Sequence, residues 1–146
     1  MKKFRKIVAI QGDAIQAINV KTDTTLLLAL EAQIRGYKIY YYETKDLTFS
    51  NNSVYALSKE VEFNKNKNKF YSIKGLKLLD LSKAKFILMR QNPPFNIDYI
   101  TATFLLEKIS KKTEIINNPT SVRNMPEKLY SIDFLKLMPP TIFTKS

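Results

Sequence analysis

Two short runs, Ile7-Val8-Ala9-Ile10 and Phe86-Ile87-Leu88-Met89, are apolar at every position. A strand with one wet face alternates apolar and polar residues, so a run without alternation has to be covered on both faces. That is the pattern of a parallel sheet flanked by helices. Each run stops abruptly, the first at Gln11-Gly12-Asp13 and the second at Arg90-Gln91-Asn92-Pro93-Pro94. The chain is therefore expected to be α/β, with polar clusters where its buried strands end.

The segments between these runs supply the crossovers. Asp23 can cap a helix in which Leu27, Leu30 and Ile34 fall at i, i+3 and i+7, and Gly36 sits where a left-handed C-terminal cap belongs. Tyr37 to Tyr42 reads as the second strand, which closes a βαβ unit with both strands parallel in one sheet. From Leu47 to Leu79 the pattern weakens into alternating pieces around Val54, Ala56, Val61, Phe63, Phe70 and Tyr71, and a small β-hairpin excursion is expected. Asp98 can cap a second helix with an apolar stripe of Ala102, Leu105, Leu106 and Ile109, and Lys108, Lys111 and Lys112 suit its negative end. Glu114-Ile115-Ile116 makes a further short strand. Asn118-Pro119 opens a short helix, and Asn124-Met125-Pro126-Glu127 opens another that carries Lys128. Thr141 to Thr144 begins a strand-like run with no partner downstream, as if the chain were cut inside an element.

Composition narrows the chemistry. A chain of 146 residues fits one small domain and not two complete ones. It has no cysteine and no histidine, which excludes disulfides, thiolate nucleophiles, imidazole or thiolate zinc sites and every triad with an imidazole base. The three glycines cannot be arranged as G-x-G-x-x-G or G-x-x-x-x-G-K-[ST], and the carboxylates are scattered, so no metal site is expected in this chain. A net charge of +11 raises nucleic acid as a partner, but only four of the 24 basic residues are arginine. Lysine comes mixed with asparagine instead, as in Asn64-Lys65-Asn66-Lys67-Asn68-Lys69, which reads as a solvated loop, and no nucleic-acid partner is expected. The longest uncharged stretch, Leu47 to Ser58, is half polar and far short of a membrane span. The basic start, Met1 to Lys6, is followed by too short an apolar run for a signal peptide, so the expected location is cytoplasmic.

In open α/β sheets ligands bind outside the carboxyl ends of the strands. Three such ends carry polar residues here: Asp13, then Arg90 with Asn92, then Asn117 with Asn118. Asp13 is suited to an ammonium and Arg90 to a carboxylate, so the pair fits a zwitterionic, amino-acid-like ligand. The plainer alternative is that Arg90 pairs with Asp13 or Asp98 while the asparagines close turns. Lys128 suits a phosphate as a point charge, although an exposed helix lysine more often only solubilises.

Four segments together resemble the N-terminal part of the prokaryotic type of glutathione synthetase, an ATP-grasp ligase. They are Ile18-Asn19-Val20-Lys21-Thr22-Asp23-Thr24-Thr25, Ala32-Gln33-Ile34-Arg35-Gly36-Tyr37, Met89-Arg90-Gln91-Asn92-Pro93-Pro94-Phe95, and Asn117-Asn118-Pro119 through Ser121-Val122-Arg123-Asn124 to Glu127-Lys128-Leu129. The resemblance implies a Rossmann-like pre-ATP-grasp domain over residues 1–122 and the opening of an ATP-grasp domain over residues 123–146. It implies that Asp13, Asn19, Arg90 and Asn92 face a γ-glutamyl peptide and that Lys128 meets an ATP phosphate. ATP and Mg2+ would serve the complete enzyme, which joins γ-glutamylcysteine to glycine through an acyl phosphate, while neither would bind this portion tightly. The portion itself carries no catalytic residue and depends on a C-terminal ATP-grasp part; a homo-oligomer is compatible with it. The family's Met-Asp-Pro stands here as Gly12-Asp13-Ala14, which keeps the carboxylate and loses the stiffening ring. A stand-alone remnant that binds a γ-glutamyl peptide or a protein, or a related ATP-grasp peptide ligase, is the alternative.

Overall fold

The computed structural model describes residues 6–66, 69–125 and 127–144. Its strands form one seven-stranded sheet in the order β3-β4-β2-β1-β6-β7, with β5 on the outer side of β4. The strands are β1 (Ile7–Gln11), β2 (Lys38–Tyr42), β3 (Leu47–Ser50), β4 (Ser53–Phe63), β5 (Tyr71–Asp80), β6 (Phe86–Met89) and β7 (Glu114–Ile116). The helices are α1 (Thr24–Ile34), α2 (Ile97–Glu107), α3 (Pro119–Asn124) and α4 (Glu127–Tyr130).

The unbroken apolar runs sit where such runs belong. β1 is central, parallel to both β2 and β6, with Ala9 opposite Tyr40 on one side and Ile87 on the other. Every residue of β1 is buried. β6 in turn pairs in parallel with β7. Alternation divides the core in two. Ile7, Ala9, Tyr40, Tyr42, Ile87 and Met89 pack with α2 residues such as Leu106, while Val8, Ile10, Ile39 and Tyr41 pack with Leu26 and Ala29 of α1.

Local chemistry fixes the helix ends. Asp23 Oδ1 accepts from Thr25 N at 2.7 Å, which caps α1 as its sequence suggests. At the other end Gly36 adopts φ +79°, with Gly36 N donating to Gln33 O and Tyr37 N donating to Ala32 O, both at 2.9 Å. These two bonds form a Schellman motif, which needs the left-handed residue that glycine supplies. Asn118 Oδ1 likewise accepts from Ser121 N and caps α3.

Several expectations change. The buried residues of α1 are Thr25, Leu26 and Ala29, with Leu30 and Gln33 half-buried beside them; of the expected Leu27, Leu30 and Ile34 only Leu30 packs against the core, while Leu27 and Ile34 face solvent. Gln33 Nε2 donates to Phe63 O at 2.9 Å while its Oε1 accepts from Phe63 N at 2.7 Å. A polar residue thus sits on the inward face because it binds the backbone of β4. α2 is capped by Asn96, which accepts from Tyr99 N, and Asp98 lies within the first turn. The hairpin region is larger than a small excursion, since β4 and β5 pair over most of their lengths and β4 joins the main sheet through Ile39 opposite Val61. No strand forms over residues 141–144, which are exposed. Of the Asn64–Lys69 loop, residues 67 and 68 lie outside the described residues, as do Pro126 and the side chain of Glu127 in the expected capping segment. No described helix is long and apolar enough to cross a membrane.

Candidate functional site

Because β1 and β6 are parallel neighbours, the residues that follow them emerge side by side. The ladder runs on past both strands, with Arg90 N donating to Gln11 O at 2.7 Å and Gly12 N donating to Tyr42 O at 3.0 Å. Asp13 and Asn92 then meet directly. Asn92 donates its backbone N–H (3.1 Å) and its side-chain Nδ2 (2.7 Å) to Asp13 Oδ2. Both bonds fall on one oxygen and leave Oδ1 open to a further donor.

Arg90 turns the other way, toward the start of α1. Its Nε donates to Thr25 Oγ1 at 3.1 Å and its terminal Nη2 donates to Thr24 Oγ1 at 2.8 Å. No carboxylate among the described residues pairs with it, so the expectation of an Arg90 ion pair with Asp13 or Asp98 is not met. The threonine hydroxyls fix the guanidinium without neutralising it, and its remaining N–H groups are available to an anion.

Asp13, Arg90 and Asn92 line a hollow of about 20 Å³ together with Thr25 and Tyr41, room for roughly one water. A wider cleft of about 230 Å³ opens on the α2 side of the same loop, shared by Asp13 and Asn92 and walled by Gln91, Asp98 and Tyr99. Burial, and after it the charge of Asp13, pushes the Tyr99 phenol up from its ordinary value. Beneath this end of the sheet the amides of Gln11 and Gln91 and the hydroxyl of Tyr42 are buried without a hydrogen-bond partner. Such groups cost about 1–3 kcal/mol each and are a recurrent mark of functional regions.

The strand ends bring together three of the five residues singled out from sequence. Asn19 is exposed and builds the loop before α1: its Oδ1 accepts from Lys21 N, and its carbonyl accepts from Thr22 N and Asp23 N. Lys128 is exposed on α4 and lines neither hollow. Asn118 is spent on the α3 cap. Sequence reasoning missed Thr24 and Thr25, which hold Arg90 from 66 and 65 residues away. It also missed Tyr41, whose hydroxyl donates to the Asp13 carbonyl at 2.8 Å. The available signal was strand alternation, which turns Tyr41 away from Tyr40 and Tyr42 and toward the α1 side.

The family model for "Prokaryotic glutathione synthetase, N-terminal domain" matches residues 7–123. Over 140 residues the chain is 41% identical to a glutathione synthetase of Agrobacterium fabrum, an alignment that covers 96% of this chain and 44% of that protein. It is 42% identical over 138 residues to a glutathione synthetase of Brucella melitensis, covering 94% and 44%. With that of Buchnera aphidicola subsp. Baizongia pistaciae it shares 40% over 136 residues, covering 92% and 42%. The chain thus spans less than half the length of these relatives. An α/β sheet whose central parallel strands end in Asp13 and Arg90, matched along nearly its whole ordered core, belongs to the prokaryotic glutathione synthetase N-terminal domain family.

Proposed function

We propose that this chain is the substrate-side part of a glutathione synthase and that the strand-end site holds γ-glutamylcysteine. Arg90 takes a substrate carboxylate and Asp13 takes the α-ammonium, while Asn92 holds Asp13 in place and Asn19 shapes the loop leading to α1. The observation that carries this reading is the guanidinium of Arg90, fixed by two threonine hydroxyls beside Asp13 and left without a carboxylate partner. A buried-edge arginine without a counter-ion is a site for an anion, and a carboxylate a short distance away selects for a ligand that carries both charges.

In the complete reaction ATP would phosphorylate the γ-glutamylcysteine carboxylate, and the amine of glycine would displace phosphate to give glutathione, ADP and phosphate. Lys128, on α4, is the proposed contact to an ATP phosphate. Magnesium would neutralise the transferring phosphates. Among the described residues no three acidic side chains gather into a group that could hold a metal ion. Residues 1–122 form the pre-ATP-grasp domain in this reading and residues 123–146 open the ATP-grasp domain. The exposed apolar side chains of Leu129, Phe134 and Leu137 support that division, because a segment continuing into a second domain would present such a surface. This portion binds substrate and does not turn it over by itself.

Calorimetric titration of the chain with γ-glutamylcysteine and, separately, with ATP tests the assignment. Heat with the peptide and none with ATP is expected. Absence of heat with the peptide contradicts it.

A further inference from the structure

The loop that carries Asp13 contains a glycine and no proline, so its backbone has more freedom than a binding carboxylate can use well. We infer that Tyr41 is a positioning residue that supplies the missing rigidity by holding the Asp13 backbone from behind. Its hydroxyl donates to Asp13 O at 2.8 Å, while the Asp13 carboxylate is held in front by Asn92. Backbone and side chain of one residue are therefore tied to two different strand ends, β2 and β6.

Gly12 belongs to the same device. A Cβ on Gly12 would stand 2.1 Å from the Tyr41 hydroxyl oxygen and 2.7 Å from the ring carbon that bears it. The phenol tip occupies the space that any side chain at position 12 would claim, so glycine there is what lets the hydroxyl reach Asp13. The ring itself is rigidly placed, buried among Val8, Ile10, Ile15 and Ile18 on the α1 side of the sheet. Burial, followed by the charges of Asp13, Asp23 and Glu43, pushes the phenol far above its ordinary value, so it remains a donor throughout the neutral range.

This inference rests on the assignment of Asp13 as the ammonium partner, and its test separates the two. Tyr41→Phe and Gly12→Ala are titrated with γ-glutamylcysteine and with its N-acetylated form, which lacks the ammonium. Each variant is expected to bind the free-amine peptide about 5–10-fold more weakly than the parent chain, the range of one lost hydrogen bond. Affinity for the acetylated peptide stays unchanged, and the double variant is no weaker than the weaker single one, because both act on one contact. Amide hydrogen exchange at Asn92, whose N–H reaches Asp13, is expected to speed up in both variants without any ligand present. Unchanged affinity together with unchanged exchange overturns the role of Tyr41, as does an equal loss for both peptides with a lowered thermal midpoint, which marks a merely structural residue. A parent chain that takes both peptides equally, or neither, overturns the ammonium assignment instead, and exchange at Asn92 then decides alone whether Tyr41 positions Asp13.

Discussion

Residues 7–123 bury an apolar core of their own, whereas no described apolar side chain of residues 127–144 is buried. In the first region Ala9, Ile10, Ile87 and Leu106 are completely enclosed, each covered by a strand or helix of the same region. In the second, Leu137 is 84% and Ile142 is 89% exposed, and Leu129, Leu135 and Phe134 also face outward. The first region supplies both faces of its own core. The second carries the composition of a core but is not covered by any described part of the chain. The proposed site divides along the same line: Asp13, Arg90 and Asn92 are held by the region with its own core, whereas Lys128 is exposed on the other.

The largest expected effect comes from attacking the enclosed region. Ile87→Ala removes a fully buried side chain from the middle of the sheet and should cost about 2–5 kcal/mol in chemical denaturation. Leu137→Ser, an equally drastic change in polarity, should stay within about 0.5 kcal/mol. Similar losses at both positions would erase the contrast.

A smaller effect is expected within the enclosed region, where α3 meets α2. Arg123 lies over the Phe104 ring at 3.9 Å from its centroid and donates to Glu107 Oε2 at 2.9 Å, which pins α3 onto α2. Arg123→Met should lower stability by about 1 kcal/mol through the lost cation–π contact, and further through the lost bond to Glu107. Hydrogen bonding from Thr120, and after it Arg123, holds the Glu107 carboxyl below its ordinary value. A depressed carboxyl stabilises the fold above the unfolded value, near pH 4.3, and loses that contribution as pH falls through the folded one. The stability gap between parent and variant should therefore narrow as pH falls below the ordinary carboxylate range, measured by denaturation across a pH series.

Gln11 offers a change of opposite sign. Its amide is fully buried and without a partner in the central strand, so Gln11→Met should raise stability by about 1 kcal/mol, read as a higher thermal midpoint. A fall would mean that the amide is satisfied in solution.

Much of the enclosed region was legible in the residues. Unbroken apolar runs identified β1 and β6 as buried parallel strands, and Asp23, Gly36 and Asn118 marked helix ends through chemistry that acts over a few residues. The strand-end rule alone brought Asp13, Arg90 and Asn92 to one place. What escaped was decided by partners far away in sequence. Gln33 lies toward the sheet because β4 offers it a peptide group. Asn96 rather than Asp98 caps α2, and two acceptors two residues apart carry no local signal for which one does so. Tyr41 sits in a run of three tyrosines, and only the pairing of β2 with β1 shows which of them reaches the Asp13 loop.

Arg90 is proposed as a ligand group held ready by Thr24 and Thr25. Its most direct test is the affinity of Arg90→Ala for γ-glutamylcysteine beside its thermal midpoint. A loss of about 10–100-fold in affinity is expected, the range for a charge-assisted hydrogen bond, with the midpoint nearly unmoved. Undiminished affinity, or a fold that collapses with the arginine, would contradict it.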